Sequence, residues 1–124
     1  WHILANAEYK LGNEAHCLEA FEKAIELNSK DKYVWKDYAF IYYDQKEYET
    51  TFVIIQEGIR NLPDEAELYY LAFVFSLKSG NIKESINILE NALILNPEKQ
   101  DMLFEYFDSL EEQKAIVHII DKLS

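Results

Sequence analysis

Residues 32–65 read KYVWKDYAFIYYDQKEYETTFVIIQEGIRNLPDE, and the order of residue types in this stretch decides the fold. Trp35, Tyr38, Ala39 and Tyr42 recur at helical spacing, so Lys32–Gln45 is expected to be an amphipathic helix. Asp44-Gln45-Lys46-Glu47 breaks the pattern. A second apolar run, Phe52 to Ile59, then predicts a helix over Tyr48–Asn61, closed by Leu62-Pro63. Two helices joined by a short polar turn make an antiparallel hairpin.

The same order of residue types returns when the window moves by 34 residues. Trp1 pairs with Trp35, Ala5 with Ala39 and Tyr9 with Tyr43. In the second helix of each unit Cys17, Thr51 and Ser85 are small, Phe21, Ile55 and Leu89 are large and apolar, and Ala24, Gly58 and Ala92 are small again. Small residues flanking a large one suit close helix–helix packing, the large side chain acting as the knob. Helices are accordingly expected at Trp1–Leu11, Glu14–Leu27, Lys32–Gln45, Tyr48–Asn61, from about Asp64 to Lys78, and at Ile82–Leu95. Two more are expected at Glu98–Glu111 and Gln113–Leu123, the last with Ile116, Ile119, Ile120 and Leu123 on one face.

A 34-residue period with a W-x2-L-G-x2-Y helix, an A-x3-F-x2-A helix and a closing proline resembles the tetratricopeptide repeat. Trp1, Leu4 and Ala5 carry the first-helix motif of unit one; Cys17, Phe21, Ala24 and Ser29 carry the rest. Unit two reads Trp35, Tyr38, Ala39, Tyr42, Thr51, Ile55, Gly58 and Pro63. Unit three is best matched by Leu68, Leu71, Ala72 and Phe75, then Gly80, Ser85, Leu89, Ala92 and Pro97, as if one residue had moved from the turn between units into the turn within the unit. The resemblance implies an all-α fold in which antiparallel helix-turn-helix repeats stack as a right-handed α-solenoid. It divides a single domain, residues 1–124, into repeats of about 1–31, 32–65 and 66–99 with a C-terminal cap over 100–124. Glu111, Glu112, Gln113, Lys114, Asp121 and Lys122 give that cap a polar outer side. The chain reads as the C-terminal part of a longer array, with an under-covered apolar edge around Trp1, Leu4 and Phe21.

Composition narrows the function. Twenty-three acids against twelve bases give a net charge of −11. Nucleic-acid binding relies on Lys and Arg neutralising phosphates, so this sign argues against DNA, RNA and anionic membrane surfaces, and favours a basic or neutral protein or peptide partner. No apolar run approaches the ~20 residues of a membrane-spanning helix. Enzymatic signatures are missing: there is no Gly-rich phosphate loop, H-E-x-x-H, C-x-x-C or G-x-S-x-G. The histidines His2, His16 and His118 lack ligand spacing, and His16 and Cys17 are adjacent on a helix, about 100° apart. The acids Asp108, Glu111 and Glu112, like Asp64, Glu65 and Glu67, fit helix starts and solvated faces. The reading therefore assigns no catalytic residue, no metal site and no cofactor.

In tetratricopeptide arrays the first helix of each unit lines the concave groove, which makes Asn6, Tyr33, Lys36, Asp37, Phe40, Tyr43, Tyr70 and Phe73 the candidate partner-binding residues. Tyr and Phe offer contact area with few rotors. Some members clamp the C-terminal carboxylate of heat-shock chaperones; the matching positions here are His2, Asn6, Asp37, Glu67 and Leu71, of which only Asn6 agrees. Two acids where a carboxylate must sit oppose that ligand. The expected function is a protein-interaction scaffold or adaptor. Self-association as a homodimer through the N-terminal edge, or service as the regulatory part of a larger enzyme, are the alternatives.

Overall fold

The computed structural model describes residues 1–107 and 109–123. The acid Asp108 lies outside the described residues, within the span where a seventh helix is expected. Seven α-helices are described: α1 (His2–Lys10), α2 (Glu14–Leu27), α3 (Lys32–Asp44), α4 (Tyr48–Asn61), α5 (Ala66–Lys78), α6 (Ile82–Leu95) and α7 (Leu110–Leu123). A 3-10 stretch, Pro97–Glu105, separates α6 from α7, and no strand is present among the described residues. The chain divides into two compact bodies, each larger than one repeat and hereafter called unit one (Trp1–Pro63) and unit two (Asp64–Ser124).

The period of 34 is written into the backbone. Each first helix closes with the same two reverse bonds: Gly12 N–H to Tyr9 O and Asn13 N–H to Glu8 O, then Lys46 to Tyr43 and Glu47 to Tyr42, then Gly80 to Leu77 and Asn81 to Ser76. This is the Schellman closure, which needs a left-handed residue after the helix end. Gly12 (φ 81°) and Gly80 (φ 93°) supply it without strain, whereas Lys46 (φ 61°) adopts it as a non-glycine residue. The second helices begin and end in register too, with Cys17 N–H bonded to Asn13 O, Thr51 to Glu47 and Ser85 to Asn81. The shifted register read for the third repeat is therefore corrected: α3 and α5 start and stop 34 residues apart, and their turns have equal length.

In unit one, α1 packs on α2, α3 on α4, and α2 and α1 on α3. Ala5, Cys17, Ala20, Phe21, Ala24, Val34 and Ile41 form the buried cluster, with Tyr9, Leu18, Ile25 and Tyr38 packed against it. Phe21 is fully buried and stacks on Tyr38 at 5.5 Å. Only Trp1 and Leu4 of the expected open edge are exposed, because rings from α1 and α3 cover the Phe21 side chain. Burying a phenylalanine contributes about 1.5–3 kcal/mol. Trp35 is buried and donates from Nε1 to Ser29 O at 2.9 Å. Its ring lies over Gly58, where an added Cβ would stand 3.1 Å from Trp35 Cγ.

In unit two, α5 is buried on all sides from Tyr70 to Ser76, as a helix that is apolar all round must be. It packs on α6 and on the 3-10 stretch. The expected Glu98–Glu111 helix is instead 3-10 from Pro97 to Glu105, and the last helix starts at Leu110, earlier than Gln113. Asn96 caps the 3-10 stretch by accepting from Glu98 N–H, with Pro97 in its first turn. Leu103 and Phe107 are the buried anchors, and Gln113 reaches back to Phe107 O at 2.7 Å. On α7 Ile116 and Ile120 are buried, while Glu111, Glu112, Lys114, Asp121 and Lys122 face solvent. The buried hydroxyls of Thr51, Ser76 and Ser85 each donate to a carbonyl of their own helix turn or its cap, which lets them serve as small packing residues.

Candidate functional site

The polar geometry with most order lies in unit one, where α1 runs beside α3. His2 Nε2 is 2.6 Å from Asp37 Oδ2, and the Asn6 side-chain amide donates to the same oxygen at 3.1 Å. Two turns along, the Tyr9 hydroxyl donates to Asp44 Oδ2 at 2.9 Å. Both ladders follow from helical spacing: His2 and Tyr9 on α1, and Asp37 and Asp44 on α3, are each seven residues apart and so share a face. The hydrogen bond to Asp44 is the largest cause raising the Tyr9 phenol above its ordinary pKa, followed by burial and the Asp44 charge.

Aromatic rings occupy the rest of the face. Phe40 and Tyr43 meet edge to face, with centroids 5.6 Å apart and planes at 86°, and Tyr43 also meets Tyr48 at 5.6 Å. Tyr33 is 58% exposed, with Lys32 Nζ and Lys36 Nζ 5.3 and 5.6 Å from its ring centroid. Such contacts hold a ring in place at an exposed site for about 0.5–1 kcal/mol. The Asp31 side chain fixes the start of α3 by accepting from Tyr33 N–H.

Six of the eight candidate residues, Asn6, Tyr33, Lys36, Asp37, Phe40 and Tyr43, thus lie on α1 and α3 of unit one with at least part of each side chain accessible. Tyr70 and Phe73 do not. Both are 0% exposed, and the Tyr70 hydroxyl donates to Asn96 O at 2.8 Å, tying α5 to the end of α6. They have no surface to offer a partner, and their assignment to a groove is corrected to core. Burial pushes the Tyr70 phenol up to about 12. Tyr9 was missing from the candidate set, although the 34-residue alignment pairs it with Tyr43.

Other chemistry is sparse. The Cys17 thiol is buried and its pKa raised, first by burial and then by Glu14 and Glu8, which suppresses the nucleophilic thiolate. His16 stands exposed, 4.0 Å from Glu8. Among the described residues no cluster of three His, Cys, Asp or Glu side chains is placed to hold a metal ion, and no helix is long and apolar enough to cross a membrane. Unit two has an open apolar pocket of about 360 Å³ lined by Leu77, Phe107, Ile116 and Ile119, with Lys78 and Glu112 at its wall. Its lining lacks the convergent polar groups that orient a ligand.

A family model described as the tetratricopeptide repeat matches residues 1–31. No curated protein matches the chain. Among solved structures, a crystal structure of MamA is similar at 16% identity and a TM-score of 0.67, over 97% of this chain and 72% of that one. The first tetratricopeptide domain of Spaghetti (RPAP3), bound to an HSP90 peptide, is similar at 13% identity and 0.66, over 98% and 91%. MamA from Desulfovibrio magneticus RS-1 is similar at 17% identity and 0.65, over 98% and 71%. The class is a helical-repeat α-solenoid. More narrowly, the first helix pair is matched by a tetratricopeptide-repeat model, over residues 1–31.

Proposed function

We propose that the chain is a non-catalytic protein-interaction scaffold that holds a peptide or helix of a partner on the α1–α3 face of unit one. The observation that supports this most is the combination there of accessible aromatic side chains, Tyr33, Phe40 and Tyr43, with two α3 carboxylates fixed by donors from α1. Rigid aromatics supply contact area and fixed charges supply register. A related fold holds a peptide in the RPAP3 complex. The charge of −11 favours a basic or neutral segment over nucleic acid or an anionic membrane. The mode differs from a chaperone carboxylate clamp, since Asp37 and Glu67 stand where cationic or amide donors would be needed.

Alanine substitution tests this directly. Phe40→Ala and Tyr33→Ala are expected to weaken binding of a partner recovered by pull-down by about tenfold each, or about 1.4 kcal/mol. Undiminished binding by both folded variants would remove the face from the account. A second reading, self-association, is favoured by the exposure of Trp1, Ile3, Leu4 and Leu11 on and beside α1. Sedimentation of Leu4→Lys against the parent chain tests it. A monomer mass that does not change with concentration in the parent excludes it.

A further inference from the structure

The face of α3 opposite buried Val34, Trp35, Ala39 and Ile41 alternates rings and acids. Tyr33, Asp37, Phe40 and Asp44 stand at i, i+4, i+7 and i+11, within an arc of about 60° around the helix. Asp37 and Asp44 are seven residues apart, about 10.5 Å along the axis. Both carboxylates are held by α1: His2 and Asn6 bond to Asp37 Oδ2, and Tyr9 bonds to Asp44 Oδ2. None of these bonds reaches Oδ1 of either acid. Asp37 keeps 41% of its side chain exposed, and Asp44 is exposed. Phe40 stands between them, half-buried and met edge to face by Tyr43. The Lys32 and Lys36 ammonium groups gather over Tyr33 at the start of the helix, so the stripe turns from cationic to anionic along its length.

We propose that this stripe selects a basic amphipathic helix carrying two lysines seven residues apart, one for Asp37 and one for Asp44, with an apolar side chain between them on Phe40. A partner helix has the same rise as α3, so its side chains match this spacing whichever way it runs. Other backbones do not. In an extended strand, positions on one face recur every ~6.7 Å, and ~10.5 Å falls between two of them. A polyproline II turn of about 9.3 Å falls short. Lysine suits the site because its ammonium is a point charge that needs one acceptor, whereas a guanidinium fork asks for both oxygens. This partner class rests on α1–α3 being the contact face.

The test is a spacing ruler. The probe is an N-acetylated, C-amidated helical peptide of alanine and glutamine with two lysines seven positions apart and leucines between them. Its control has the same composition with the lysines five positions apart, which sets them about 140° apart around the helix. Circular dichroism checks that both peptides are helical and that each variant is folded, and titration is followed by amide shifts of the labelled chain. The seven-apart peptide is expected to perturb α1 and α3 and to bind about fivefold more tightly than the control, as two exposed ion pairs allow. Asp37→Asn and Asp44→Asn keep the size and one acceptor oxygen but remove the charge. Each should lower the preference about twofold, and together they should abolish it. Equal affinities for the two peptides at α1 and α3, or a preference that survives the double substitution, would overturn the lysine register and leave the contact face standing. No binding of the seven-apart peptide at α1 and α3 would overturn it too, whereas the contact-face reading falls only with undiminished partner binding by Phe40→Ala and Tyr33→Ala.

Discussion

Gly58 offers a severe test of how unit one is packed. A Cβ at this position would lie 3.1 Å from Trp35 Cγ, 3.2 Å from Trp35 Cβ and 3.3 Å from Trp35 Cδ2, against roughly 3.5–4.0 Å for relaxed carbon contacts. The crowded atoms belong to the base of the side chain, close to the α3 backbone, and the far end is tied down by the Nε1 bond to Ser29 O. Relief must come from moving α3 away from α4 by a few tenths of an ångström. Overpacking of this kind costs about 1–3 kcal/mol, whereas replacing a helix-interior glycine by alanine returns about 0.5–1 kcal/mol. Gly58→Ala should therefore lose about 1 kcal/mol, and Gly58→Val about 3 kcal/mol, since it adds branched bulk against the same ring. Urea unfolding followed by tryptophan fluorescence reports unit one, because Trp1 and Trp35 both lie in it. Trp35→Leu in the Gly58→Ala background, followed by circular dichroism, should recover about 1 kcal/mol as coupling. A higher unfolding midpoint for Gly58→Ala, or additive losses in the double variant, would refute the reasoning.

Lys46 holds the left-handed position that Gly12 and Gly80 hold one period away, so Lys46→Gly should stabilise unit one by about 0.5–1 kcal/mol; a lower midpoint in the same unfolding assay would contradict this. Tyr38 and Tyr70 give a pH dependence. Burial pushes both phenols up to about 12, with Tyr42, Glu22 and Cys17 adding to the effect at Tyr38. The folded chain then keeps protons that the unfolded chain releases near pH 10. Stability should be flat below that point and fall between pH 10 and 12, by up to about 1.4 kcal/mol per pH unit for each tyrosine. Tyr38→Phe and Tyr70→Phe should each flatten that fall; an unchanged slope would dismiss the cause. At neutral pH Tyr70→Phe should also cost about 1 kcal/mol through its bond to Asn96 O.

The helix pairs were legible because three independent signals agreed: apolar spacing, polar breaks, and small residues recurring every 34 positions. Lys46 shows the limit of reading by residue type. Its place in the period, midway between two glycines, marks a left-handed turn that composition alone does not. The 3-10 stretch escaped for a different reason. Periods of 3.0 and 3.6 residues differ by only about half a turn over nine residues, so Met102, Leu103, Tyr106 and Phe107 fit either helix. Tyr70 and Phe73 were placed on a groove by analogy with α3. The unbroken apolar run from Leu68 to Phe75 has no polar face to turn to solvent and marks a helix buried on every side. Asp37, Asn6 and the aromatics of α3 were legible as one face. The bonds of His2 and Asn6 to Asp37 and of Tyr9 to Asp44, across 31 to 35 residues, were not, because they depend on side-chain rotamers that spacing does not specify.

The central claim is that the α1–α3 face of unit one receives a partner. The most direct measurement is amide shift mapping of the labelled chain with a peptide selected on it from an unbiased displayed library. The account predicts the largest perturbations at Asn6, Tyr33, Lys36, Asp37, Phe40 and Tyr43, and a selected sequence that is basic or neutral. Perturbations confined to α2 and α4, or to α7 and its apolar pocket, with α1 and α3 silent, would contradict it.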